Sequence, residues 1–110
     1  MARVLGVLLL LALSGGIGAV EGFLSGDDLY ASCQDKNLAC EAYIVGISDS
    51  VQALMTWGNL PDNFICRPAD VTSEQLVAVV LGDFEKFPEQ RHLLASNLVI
   101  YALKQAFPCK

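Results

Sequence analysis

Apolar residues recur every three or four positions along most of the chain after residue 24, which is the spacing of one face of an α-helix. The clearest such face follows Thr72 and Gln75, whose spacing is that of a reciprocal capping box at a helix start. Its apolar positions are Leu76, Val77, Val80, Leu81 and Phe84. No stretch alternates apolar and polar residues for more than about four positions, as a half-buried strand would. The pattern therefore predicts an all-α fold.

Cap and turn signals divide this pattern into four predicted helices. The first covers residues 26 to 33 or 34, after an N-cap at Ser25, and the second covers about residues 39 to 57. The third extends for ~15 residues from Thr72 and the fourth for ~18 residues from Pro88, whose missing N–H is tolerated at a helix start. The short turn before Pro88 makes the last two helices antiparallel. A small four-helix bundle-like domain is therefore predicted.

The second predicted helix gives two further expectations. Its core face is predicted to comprise Tyr43, Ile47, Ser50 or Val51, and Leu54. Asp49 lies inside the same helix, where aspartate has a poor propensity, so we expect it to form a hydrogen bond within the bundle, for example to a tyrosine or a loop amide.

Residues 1–19 have the three-part plan of a secretory signal peptide. Arg3 is followed by an apolar run over residues 4–13 that only Gly6 interrupts, and small residues follow over residues 14–19. We expect cleavage after Gly18 or Ala19. The alternative is an uncleaved anchor, for which the mostly apolar stretch of 17 residues from 4 to 20, which contains four glycines, is marginal in length.

The charge of the exported domain excludes two classes of partner. All 12 acidic residues but only 6 of the 7 basic residues lie after residue 19, so the mature domain is acidic. Nucleic acids and anionic membranes attract basic surfaces, which this composition does not provide. We therefore expect no nucleic-acid partner, and no membrane association after signal cleavage.

All four cysteines, at positions 33, 40, 66 and 109, lie in the mature part of the chain. An even number of cysteines in a small exported domain predicts disulfides, and zinc is the alternative. Zinc sites favour cysteines two to four residues apart, whereas here 6, 25 and 42 residues intervene. Cys33 ends the first predicted helix and Cys40 begins the second, while Cys66 and Cys109 flank the antiparallel pair. Helix geometry therefore predicts the disulfides Cys33–Cys40 and Cys66–Cys109.

No catalytic, cofactor-binding or metal-binding motif stands out in the chain. There is no phosphate-binding glycine loop, nucleophile elbow or metal-binding helix motif. A thiol enzyme that uses a cysteine with His92 is the alternative, but paired cysteines and a surface histidine explain the same residues. We therefore expect a protein that is not an enzyme and has no cofactor. Trp57, Leu60 and Phe64 are candidate partner contacts in the loop after the second helix, and the alternative is that they cap the open end of the bundle.

An ordered set of short motifs spans residues 25–109 and resembles the Rap/Tai family, the resistance-associated proteins and type VI amidase immunity proteins of Gram-negative bacteria. The motifs are Ser25-Gly26-Asp27-Asp28-Leu29, Cys33, Cys40 with Tyr43 and Gly46, Cys66-Arg67-Pro68, residues 71–76, Phe87-Pro88-Glu89, His92, Ala95, Ala102-Leu103 and residues 106–109. Each motif is weak alone, but the order and the four cysteines in register make the set specific.

This resemblance implies a periplasmic, disulfide-bonded, mostly helical immunity domain over residues 25–109, often a homodimer. Members bind peptidoglycan-cleaving amidase effectors delivered by type VI secretion, and they occlude the active-site groove of the effector rather than catalyse a reaction. The expected function is therefore protection of the producing cell. The alternative is a periplasmic structural or accessory domain with no toxin partner.

Overall fold

A computed structural model of the protein describes residues 22–110, and this part of the chain is helical as predicted. Its α-helices are α1 (Gly26–Gln34), α2 (Leu38–Thr56), α3 (Ser73–Lys86) and α4 (Ala95–Ala106), with a 3₁₀ turn at Pro88–Gln90. Over the same range there is no strand, and Ser25 and Leu94 form an isolated antiparallel bridge. No helix within residues 22–110 is long and apolar enough to cross a membrane. The predicted signal peptide, residues 1–19, lies outside the described residues.

Three of the helices begin at side-chain caps that satisfy their first free amides. Ser25 and Asp28 form a reciprocal capping box at α1, and Thr72 and Gln75 form the one predicted at α3. Asn37 accepts from the amide of Ala39 and so begins α2 one residue before the predicted start. These starts could be predicted because a cap needs only residues within three positions of each other.

The core lies between all four helices. The buried apolar residues are Leu29, Cys33, Cys40, Ile44, Val51, Met55, Ile65, Leu76, Val80, Phe84, Ala95, Leu98, Val99, Ala102 and Leu103. The predicted core face of α2 is correct at Val51, which is buried, but wrong at Leu54, which is exposed, and Tyr43 and Ile47 are only half-buried. α2 has apolar residues on several faces, so its sequence alone does not decide which face is buried. The disulfide of the buried Cys40 orients the helix so that Ile44, Val51 and Met55 face the core.

The predicted start of the fourth helix is also wrong. Pro88 begins a 3₁₀ turn, and α4 begins seven residues later, at Ala95. The amides of Gly26 and Asp27 donate to the carbonyls of Leu93 and Arg91, at 2.8 and 2.6 Å. The carbonyls of Arg91 and Leu93 therefore cap the start of α1, and this segment is not part of a continuous helix. His92 accordingly lies in an exposed turn rather than on a helix surface.

Both predicted disulfides are confirmed. The Cα atoms are 5.0 Å apart in Cys33–Cys40 and also in Cys66–Cys109. The first joins the end of α1 to the start of α2. The second holds the loop before α3 against the end of α4, where the amide of Cys66 also donates to the carbonyl of Phe107 at 2.9 Å. The antiparallel packing of α3 and α4 thus brings the two cysteines together.

Candidate partner-binding surfaces

The C-terminal end of α2 exposes a tryptophan. α2 ends at Thr56, and Gly58 reverses the chain with a φ of 81°, a conformation that glycine adopts without steric cost. The amides of Asn59 and Leu60 then donate back to the carbonyl of Leu54, which makes the turn tight. Trp57 projects from this turn with 74% of its surface exposed, and Leu54 is exposed one helical turn earlier. The two side chains therefore provide a small apolar patch at the end of α2.

The structure separates the residues that the sequence places together in this loop. Trp57 is exposed, whereas Leu60 and Phe64 are half-buried against the core and Ile65 is buried. The ammonium of Lys104 lies 4.2 Å from the centre of the Phe64 ring, within the range of a cation–π contact. Ile65, Leu60 and Phe64 thus close the end of the bundle, and Trp57 stands outside it.

Arg67 anchors the same loop to α2. Its guanidinium donates to the Ser48 hydroxyl, which is buried, and lies 3.2 Å from a carboxylate oxygen of Asp49. The hydrogen bond predicted for Asp49 within the domain is therefore present, but its partner is the Arg67 side chain and not a tyrosine or a loop amide. The residue directly before Arg67 is the disulfide-bonded Cys66. Two neighbouring residues thus fasten the loop, one by a covalent bond and one by a hydrogen-bonded ion pair.

A groove of about 550 Å³ lies beside the Cys33–Cys40 disulfide, between the α1–α2 connection and α3. Its apolar lining is Leu38, Val77 and Leu81, and its acidic lining is Glu41, Glu74 and Glu85. Leu38, the first residue of α2, is 75% exposed. Sequence reasoning missed this groove because its walls come from segments more than 30 residues apart. The feature of the sequence that could have indicated the groove is Leu38, a leucine near a helix start that belongs to no predicted core face.

A third cluster, at the start of α1, is part of the fold rather than a binding surface. The Arg91 guanidinium lies 4.1 Å from the centre of the Tyr30 ring, and its Nε lies 3.9 Å from Asp27. Gly26 packs so closely against the backbone of Arg91 that a Cβ would lie 2.7 Å from the Arg91 carbonyl oxygen. Ser25, Gly26 and Asp27 belong to the motif set described above, so these positions hold the helices together.

The titratable groups of the described residues offer little reactive chemistry. All four cysteines are in disulfides, so none is a free thiol that could act with His92. The His92 ring nitrogen Nδ1 lies 3.0 Å from the carbonyl of Glu89. Burial raises the pKa of Asp83 above its ordinary value, against the attraction of Lys86. Within residues 22–110, no cluster of three histidine, cysteine, aspartate or glutamate residues could hold a metal ion.

Comparison with known proteins gives one match. The family model of Rap1a immunity proteins matches residues 25–109, from the N-cap of α1 to the last disulfide-bonded cysteine. No curated protein and no solved structure matches the chain. The match thus covers all four described helices and both disulfides.

Proposed function

The chain belongs to the family of Rap1a immunity proteins, and we propose that it neutralises a type VI secreted peptidoglycan amidase. Family membership indicates an immunity protein, whose partner is a secreted effector protein. The finer identity of the effector, an amidase, is supported by the resemblance of residues 25–109 to the Rap/Tai family. The single observation that carries the proposal is the family match across the whole helical domain.

We place this activity in the periplasm. Disulfides persist in oxidising compartments, and both pairs of cysteines in this chain are bridged. The signal peptide predicted at residues 1–19 would deliver the domain there. Peptidoglycan also lies in the periplasm, so an inhibitor of its cleavage has to be present in that compartment. No nucleic acid or membrane has a part in this function.

The proposed mechanism is occlusion of the effector by direct contact. Trp57 is the proposed anchor, because it is the most exposed of the three candidate contacts and aromatic anchors contribute much of the energy at protein interfaces. Leu60 and Phe64 lie in the same loop, where they are half-buried against the core, and their exposed parts are proposed as weaker contacts. Since Arg67 and the Cys66–Cys109 disulfide already order this loop, little conformational entropy is lost when it binds.

Binding and inhibition with purified proteins test the proposal. The mature protein, with its disulfides intact, is titrated into the amidase encoded beside its gene, while calorimetry and peptidoglycan cleavage are followed. We expect tight binding and loss of cleavage at one equivalent. If the amidase cleaves peptidoglycan at full rate in excess protein, this function is wrong. A gene with no neighbouring effector would favour the accessory-domain alternative.

The Trp57 contact has its own matched test. Trp57→Ala should weaken amidase binding about tenfold or more, because truncation of an aromatic anchor is costly. Tyr101→Ala is the control, since Tyr101 is also an exposed aromatic residue (49%) but lies on α4. If the Trp57 variant and the wild type bind the amidase with equal affinity, Trp57 is not a contact, but the proposed function is not contradicted.

We also propose a homodimer, on the resemblance to the Rap/Tai family. Light scattering after size-exclusion chromatography measures the mass directly. A dimer mass at micromolar concentration is expected, and a monomer at every concentration tested would contradict it.

A further inference from the structure

The groove beside the Cys33–Cys40 disulfide has the composition of a binding surface. Its centre is apolar, with Leu38 on one side and Val77 and Leu81 of α3 on the other. The exposed side chain of Leu38 is 75% accessible, so this leucine contributes little to the core. An apolar centre with a polar rim is the usual anatomy of a protein interface.

The walls of the groove are held in place before any partner binds. The disulfide closes the connection between α1 and α2, and the Asn37 side chain caps the amide of Ala39 at the start of α2. Across the groove, the Ser73 hydroxyl at the start of α3 donates to Glu41 of α2 at 2.6 Å. A preformed groove binds a partner without a large ordering cost.

The rim of the groove is acidic. Glu41, Glu74 and Glu85 line it, and Lys36 is the basic residue among the lining side chains. A segment that enters the groove therefore meets a negative potential around an apolar centre. This combination favours lysine or arginine side chains that flank an apolar one.

We propose that this groove binds a basic segment of the effector, with one apolar side chain packed on Leu38 and lysine or arginine side chains facing Glu74 and Glu85. This inference rests on the proposed function for the identity of the partner. The groove and Trp57 lie at opposite ends of α2, which has 19 residues and so separates them by roughly 28 Å. The groove is thus a second contact, independent of the Trp57 patch.

Two matched pairs of variants test the groove by calorimetry with the amidase. Glu85→Lys reverses a charge in the groove, and Glu89→Lys makes the same change four residues later, outside it. Leu38→Ala and Tyr101→Ala each shorten an exposed side chain, again inside and outside the groove. Each groove variant should weaken binding about tenfold, and Glu85→Lys should reduce its salt dependence, while the controls stay within about twofold. Groove variants that bind as tightly as their controls would overturn the groove proposal and leave the proposed function standing.

A second arm does not depend on the amidase. A short peptide of lysine and leucine, and a peptide of glutamate and leucine of the same length, are titrated into the isotopically labelled mature protein. The basic peptide should shift the amide resonances of Leu38, Val77 and Leu81 together, and the acidic peptide should shift none of them. Shifts spread over the whole acidic surface, or equal shifts with both peptides, would overturn the proposal. If the wild type binds no amidase, the proposed function fails, and this arm still decides whether the groove selects basic segments.

Discussion

The substitution Gly26→Ala tests the packing that joins the start of α1 to the segment before α4. Gly26 is buried, and an added Cβ would lie 2.7 Å from the Arg91 carbonyl oxygen and 3.0 Å from the Arg91 Cα. The nearest atom would be Cδ1 of Leu98, at 2.5 Å, which can move with its side chain, but both Arg91 atoms belong to the backbone and cannot give way in that manner. Either the Arg91 backbone moves away or α1 does.

The size of the effect follows from what such a movement breaks. The amides of Gly26 and Asp27 donate to the carbonyls of Leu93 and Arg91, and each bond contributes about 1 kcal/mol. Overpacking strain adds about 1–3 kcal/mol. Alanine has a smaller conformational entropy than glycine in the unfolded chain, and this difference offsets about 0.5–1 kcal/mol of the loss. We therefore expect Gly26→Ala to lower the free energy of unfolding by about 2–4 kcal/mol, and Tm by about 10 °C or more for a domain of this size.

Thermal and urea unfolding measure this effect, and two other helical glycines serve as controls. A Cβ at Gly46 or Gly82 would meet nothing within 4 Å. Gly46→Ala and Gly82→Ala should therefore stabilise the protein by about 0.5–1 kcal/mol, because alanine is the better helix former. If Gly26→Ala is as stable as these controls, the close approach of α1 to Arg91 does not limit this position, and the packing described above is wrong.

Three further predictions concern the stability of the fold. Arg67→Ala should cost about 1–3 kcal/mol in urea unfolding, because it leaves the buried hydroxyl of Ser48 without its donor; a change below about 0.5 kcal/mol would contradict that role. Graded reduction with alkylation and mass spectrometry should open Cys66–Cys109 before Cys33–Cys40, since Cys66 is exposed and both cysteines of the other bridge are buried residues; the reverse order would contradict this. Because burial raises the pKa of Asp83, the free energy of unfolding should fall as the pH rises from the ordinary pKa of aspartate through the raised one. Asp83→Asn should remove this loss and therefore stabilise the protein most at neutral pH. An equal effect of the variant at all pH values would refute this prediction.

Features that depend on a few neighbouring residues could be predicted from the sequence. The capping boxes at Ser25 and Thr72 need partners only three positions away, and both are present. The disulfides required one step more, namely that a tight turn makes α3 and α4 antiparallel. That step is correct even though α4 is shorter than predicted, because the end of α4 and the loop before α3 still meet at Cys66 and Cys109.

Features that depend on contacts between distant residues could not be predicted from the sequence. The segment before α4 has a helical pattern of residues, but its carbonyls bond to the amides of Gly26 and Asp27, more than 60 positions earlier. No local signal in the chain reveals that pairing. The groove beside Leu38 also depends on a distant contact, since its second wall is α3. Its shape and charge arise only when α3 packs beside the start of α2. The Trp57 loop could be predicted only in part. Its apolar residues are evident in the sequence, but the sequence does not show that one of them is exposed and the others pack against the core.

Survival of cells that produce the effector shows directly whether this chain gives immunity against an amidase. The amidase encoded beside the gene is directed to the periplasm of a susceptible Gram-negative host, together with the full-length chain or with residues 20–110 alone. We expect the full-length chain to prevent lysis and the shortened chain, which stays in the cytoplasm, to give no protection. Lysis at an undiminished rate with the full-length chain present, when the folded protein is detected in the periplasm, would contradict it.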